Sequence, residues 1–144
     1  MPAAHSSILA LDVGDKRVGV AVASTLARLP RPLVTLIRNE DFFKELNELV
    51  NHEDVGEVVI GLPRDMSGRS TSQTEATEQF IDELKSQLDV TVYTQDEAVT
   101  SKRAEEELDR RGRPYEKGDI DALAATYILE DFLNGYNRTD AGTT

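Results

Sequence analysis

No cysteine occurs in this 144-residue chain, so disulfides and thiolate metal sites are excluded and a reducing compartment is permitted. No run of about 18 apolar residues is present either, the length that a membrane-spanning helix requires. Met1–Ser7 carries neither the basic region nor the apolar core of a secretory leader. These absences lead to the expectation of a cytoplasmic protein with no membrane partner. Histidine is scarce, and neither His5 nor His52 has a partner at ligand spacing, which turns the search for metal ligands away from zinc and toward oxygen.

Positive charge is also short. Sixteen lysines and arginines face 27 acids, a formal net charge of -11. Most nonspecific affinity for nucleic acid comes from phosphate neutralisation by Lys and Arg, so indiscriminate binding to nucleic acid or to an anionic membrane is excluded. Local charge can still differ from the total, and metal ions can offset carboxylates where a polyanion is held. The stretch from Lys102 to Lys117 is near neutral with its bases gathered at both ends, and reads as a helix face laced with ion pairs.

What is present fits one α/β domain. Thirty per cent charged and 39% hydrophobic residues describe an ordinary soluble globule, without a composition break, an internal repeat or a low-complexity segment. The expected organisation is an N-terminal tail over 1–7, a single domain over 8–133 and a flexible C-terminal tail over 134–144. Ile8–Ala23 holds two apolar strands around the turn residues Gly14, Asp15 and Lys16, with Val18, Val20 and Val22 at period two. Leu33–Ile37 suits a third strand. Helical spacing of Phe42, Phe43, Leu46, Leu49 and Val50 follows, then a buried strand over Glu57–Gly61. A helix begins near Ser72, a strand covers Val90–Gln95, and two helices cover Thr100–Arg111 and Asp119–Leu133. Strands and helices in that order predict a mixed sheet flanked by helices.

Three acids sit at the ends of these elements. Asp12 closes the first strand, Asp96 and Glu97 close a late one, and Asp121 opens the last helix. On a regular pleat Asp96 and Glu97 point to opposite faces, so only one can join Asp12, and the pattern does not choose. For the helix, at about 100° per residue with Ile120 at zero, Ile128 falls near 80°, Asp121 near 100° and Phe132 near 120°. Asp121 therefore lies inside an apolar arc. Asp119, at about 260°, lies beside Glu130 on the polar side. Oxygen-only ligands of this kind suit Mg2+ or Mn2+.

The run Asp12-x-Gly14-x-x-Arg17-x-Gly19-x-Ala21 is the first of four motifs. The others are Gly61-Leu-Pro63 with Met66 and Gly68, Asp96-Glu97-x-x-Thr100-Ser101 with Ala104, and Asp121-x-x-Ala124-Ala125 with Ile128-Leu129. Together they resemble the YqgF family, also called RuvX, the Holliday-junction-resolvase-like proteins linked to processing of precursor 16S ribosomal RNA. The resemblance covers Ile8–Leu133. It implies a ribonuclease-H-like fold and a divalent-metal nuclease whose catalytic and metal-binding acids are Asp12, Glu97 and Asp121. It also implies a nucleic-acid partner, structured RNA or branched DNA, and an association with ribosomal precursor particles. Where the family carries Asp-Glu-Arg, this chain has Ala98 in place of the arginine. Arg17, Lys102 and Arg103 flank the acids in sequence and are the expected substrate-binding rim.

Two other readings share these residues. The Asp12-x-Gly14 hairpin also opens the phosphate-binding domain of actin-like and sugar-kinase ATPases, but those proteins use two such domains and this chain has no second copy. A noncatalytic RNA-binding or ribosome-assembly factor of the same fold is the other.

Overall fold

The structure, a computed structural model, describes residues 5–65, 67–97 and 100–143, without the side chains of residues 100, 101 and 136–143. Met66 and the Ala98 substitution of the family arginine lie outside the described residues.

The alternating valines fold as the period predicts, into an antiparallel pair of β1 (Ser7–Val13) and β2 (Arg17–Ser24) that sets Asp12 opposite Gly19. β3 (Arg31–Ile37) pairs antiparallel with β2 and forms one edge of the sheet. It starts before the expected Leu33 because an edge strand tolerates Pro32, which has no N–H to give to a ladder. After α1 (Phe42–His52) the chain reverses at Asp54, a non-glycine residue at φ 53°, and enters β4 (Val55–Pro63), parallel to β1. α2 (Ser72–Gln87) starts at a reciprocal cap: the Thr71 hydroxyl accepts from the Thr74 N–H, and the Thr74 hydroxyl accepts from the Thr71 N–H. β5 (Thr91–Glu97) lies parallel to β4, and α3 (Thr100–Arg111) stops at Gly112, whose φ of 70° suits glycine. The sheet order is β3-β2-β1-β4-β5, antiparallel on one side of β1 and parallel on the other. The mixed α/β sheet expected from the element order is therefore present.

The last helix, α4 (Lys117–Thr143), extends from the expected Asp119–Leu133 helix over residues 134–143 of the C-terminal tail segment. No proline follows Pro114, so no backbone donor is lost there, and Gly135 costs only about 1 kcal/mol of helix propensity. At the other end, Ser6 and Ser7 donate backbone N–H groups to the Asp54 carbonyl at 3.1 Å, which ties that part of the expected N-terminal tail to the sheet.

Pleating sorts the sheet's side chains between two cores. Leu9, Leu11, Val20, Val58 and Ile60 meet Phe42 and Leu46 of α1 and Phe80 and Leu84 of α2. Ile8, Ala10, Ala21 and Val59 meet Ala125, Ile128 and Leu129 of α4. Truncating a fully buried side chain such as Leu11 or Phe80 would cost about 2–5 kcal/mol, because neighbours only partly close the void. No helix among the described residues is long and apolar enough to cross a membrane.

Candidate active site

β1 sends Leu9 and Leu11 to one core and Ile8 and Ala10 to the other, so by parity Asp12 leaves the sheet on the α4 side. Gly19 is its partner across the ladder and makes room there. A Cβ on Gly19 would stand 2.0 Å from the Asp121 carbonyl oxygen, so α4 lies directly on the β2 backbone near its N-terminal end. That contact brings Asp121 to Asp12 across more than a hundred residues of sequence. Gly61 of β4 does the same further along: a Cβ there would stand 2.4 Å from Ile128 Cδ1. Glu97, opposite Pro63 in the register, shares its face with Tyr93, whose ring lies 5.3 Å from that of Phe132 on α4. Parity thus turns Glu97 toward α4 and Asp96 away, settling the choice that the sequence pattern left open.

Asp12, Glu97 and Asp121 line one cleft of about 500 Å³, with Gly14, Arg38, Pro63, Thr77 and Lys102 among its other walls. Burial, and then the charge of Asp121, push the Asp12 carboxyl up to about 7. Burial comes first for Glu97 too, followed by a hydrogen bond with the Asp131 carboxyl and its charge, and these lift it to about 8 while Arg103 works in the opposite direction. Among the described residues, Glu97 Oε1 is buried without a hydrogen-bond partner. A buried acceptor left unsatisfied costs about 1–3 kcal/mol, which an electrophile in the cleft would recover. Asp121 is held differently: Arg17 Nε donates to its Oδ2 at 2.6 Å, in a half-buried ion pair. Asp119 is exposed, as the helical phase predicted, and its carboxylate accepts from the Glu116 backbone N–H at 2.9 Å.

The basic residues divide. Lys102 is exposed and lines the cleft. Arg17 is engaged with Asp121. Arg103 sits 4.3 Å over the Tyr127 ring and 3.7 Å from Asp131, so it knits α3 to α4. Arg64 pairs with Asp96 at 3.3 Å and donates to Ser70 at 2.6 Å. Two groups near the site were not anticipated. Arg38 donates to the Gly14 carbonyl at 2.8 Å, an interaction between the end of β3 and the β1–β2 turn that sequence alone does not announce. Asp131 carried a signal: at about 20° on the same helical projection it stands beside Ile120, an acid at the edge of the apolar arc.

Donor chemistry fits a hard divalent cation at Asp12 and Glu97, because both offer carboxylate oxygens to the cleft and, among the described residues, one of those oxygens lacks a partner. Among the described residues, no three such groups already stand close enough to grip an ion together, and Arg17 supplies Asp121 with its positive partner.

A five-stranded mixed sheet with helices on both faces and acids gathered at one end defines an α/β protein of the ribonuclease-H-like class. The fold is similar to that of Thermus thermophilus RuvC solved with a Holliday junction, with a TM-score of 0.51 and 16% identity, covering 89% of this chain and 95% of that one. The model of the RuvX family, described as Holliday junction resolvase, matches residues 6–135. A relative from Sulfurihydrogenibium sp. (strain YO3AOP1) named "Putative pre-16S rRNA nuclease" is 33% identical over 140 residues, 96% of this chain and 97% of its own length. A relative of the same name from Chloroflexus aurantiacus (strain ATCC 29366 / DSM 635 / J-10-fl) is 40% identical over 131 residues, 88% of this chain and 86% of its own. The chain belongs to the RuvX family. It is a nuclease, a hydrolase of phosphodiester bonds.

Proposed function

We propose that the protein hydrolyses phosphodiester bonds in structured RNA with Mg2+ or Mn2+ held by Asp12, Glu97 and Asp121, and that its task is maturation of the 5' end of precursor 16S rRNA. The observation that carries this reading is the convergence of carboxylates from β1, β5 and α4 on one cleft, with Glu97 Oε1 unsatisfied among the described residues. The RNA substrate is taken from the names of the relatives.

A bound divalent ion there would offset charge on the phosphate oxygens and lower the pKa of the attacking water. The chain's own residues do the rest. Water adds to phosphorus and the ester P–O bond breaks, so negative charge grows on the nonbridging and leaving oxygens. Lys102, on the cleft wall, attracts and orients the phosphate. Arg17 keeps the Asp121 carboxylate oriented through Nε.

The test is cleavage of a structured precursor-rRNA fragment and of branched DNA in Mn2+, with Asp12→Asn as the inactive control. Asp121→Asn should lower single-turnover cleavage about 100-fold or more, as loss of a transition-state ligand does, while Asp119→Asn keeps most of it. Equal activity in those two variants would overturn the site assignment. RNA binding without cleavage by the wild type would favour the noncatalytic assembly factor.

A further inference from the structure

Arg38 is the common wall of two depressions. One is the acid-lined cleft; the other, of about 610 Å³, runs between the start of α1 and the second half of α2 and is lined by Arg38, Asn39, Phe43, Lys44 and Asn47. The Arg38 guanidinium is held on both sides: it donates to the Gly14 carbonyl at 2.8 Å and lies 5.2 Å from the centre of the Phe80 ring. Its planar fork therefore stands preorganised between the two spaces, with further N–H groups for an anionic oxygen. Beyond it lie the Lys44 ammonium and the amides of Asn39, Asn47 and Gln87. Phe43 forms a rigid wall, half-buried and stacked on Phe80 at 5.8 Å and edge-on to Phe42 at 5.0 Å. Glu40 and Glu83 also line this groove, so Arg38 and Lys44 bring it to formal neutrality, in a chain whose total is -11.

A phosphodiester seated at the acids belongs to a strand that must leave the cleft, and the Arg38 side offers cations, amide donors and a ring in succession. These are the groups that hold single-stranded nucleic acid without reading its sequence. We propose that the groove between α1 and α2 binds the single-stranded segment flanking the scissile phosphate, with Arg38 on the first flanking phosphate and Lys44 on a later one. The proposal rests on the nuclease reading for the position of the scissile phosphate.

The experiment compares two labelled RNAs, one ending at the target linkage and one extended past it by a few single-stranded nucleotides, on the full chain. Binding is read in Ca2+ as a function of salt, and single-turnover cleavage in Mn2+ at saturating enzyme. Wild type should bind the extended RNA more tightly. Lys44→Ala should erase most of that difference, lower the salt slope for the extended RNA by up to about one unit and leave the short RNA and the saturated rate unchanged. Lys44→Arg should preserve the difference. Equal affinity of the wild type for the two RNAs, or a Lys44→Ala variant that keeps the full advantage of the longer one, overturns the proposal. A length advantage that depends on Lys44 in a protein that cleaves neither RNA supports the groove and overturns the nuclease reading instead.

Discussion

At the scale of single residues, the site stores protons where a nuclease needs charge. An acid whose pKa is higher in the folded than in the unfolded state binds more protons when native. It stabilises the fold at pH below its unfolded value, and that contribution is lost as pH climbs to the folded one. For Asp12 the window runs from 3.8 to about 7, and for Glu97 from 4.5 to about 8. In the absence of divalent ions, the melting temperature should therefore fall as pH rises from 5 to roughly 8.5, and Asp12→Asn should flatten much of that fall. Calorimetry across that range in EDTA checks it, and a profile equally steep in Asp12→Asn would refute the assignment. Adding Mn2+ should restore stability at the alkaline end and release protons at about pH 6, because the ion binds the deprotonated carboxylates. The two neighbouring bases should separate as well. Lys102→Ala should lower the salt slope of RNA binding by up to about one unit, whereas Arg103→Ala should leave the slope nearly unchanged and reduce stability and cleavage, since its guanidinium serves Asp131 and Tyr127. An equal drop in slope in the two variants would return Arg103 to the substrate, and a wild-type slope in both would remove Lys102 from it.

At the scale of elements, glycine decides how closely the last helix approaches the sheet. Gly19→Ala would place a methyl group 2.0 Å from a backbone carbonyl that cannot rotate away, so α4 must lift off β2 and carry Asp121 with it. About 1–3 kcal/mol of destabilisation is the expected scale of such overpacking, with cleavage falling further than stability. Gly61→Ala meets only the end of the Ile128 side chain, which can change rotamer, and should do less on both counts. Thermal melts beside single-turnover rates measure the pair, and a Gly61→Ala variant worse than Gly19→Ala would contradict the packing described. The same elements explain what could be read in advance. Period-two valines and 3.6-period apolar residues carry the strand and helix order, because burial on one side imposes them. Asp121 followed from helical phase for that reason. β1 and β4 are buried on both faces, so their apolar runs carry no parity signal, and nothing local tells which way Asp12 points. Glu97 over Asp96, the Arg38 bond to Gly14 and the neighbourhood of Asp131 all arise from contacts between elements distant in the chain.

At the scale of the whole molecule, β1 is the seam between the antiparallel and parallel parts of the sheet, and α4 covers it. That helix packs across β1, β2 and β3 and contributes Asp121, while Asp12 and Glu97 come from strands made earlier in the chain. Until α4 docks, Ile8, Ala10, Ala21 and Val59 have no apolar cover. During synthesis, then, a chain that has emerged as far as β5 holds two of its acids on an uncovered sheet face and lacks the third. On the proposed site, completion of folding and assembly of the three acids are one event in time, so an immature copy of this nuclease would be chemically silent among the RNA that surrounds it as it is made.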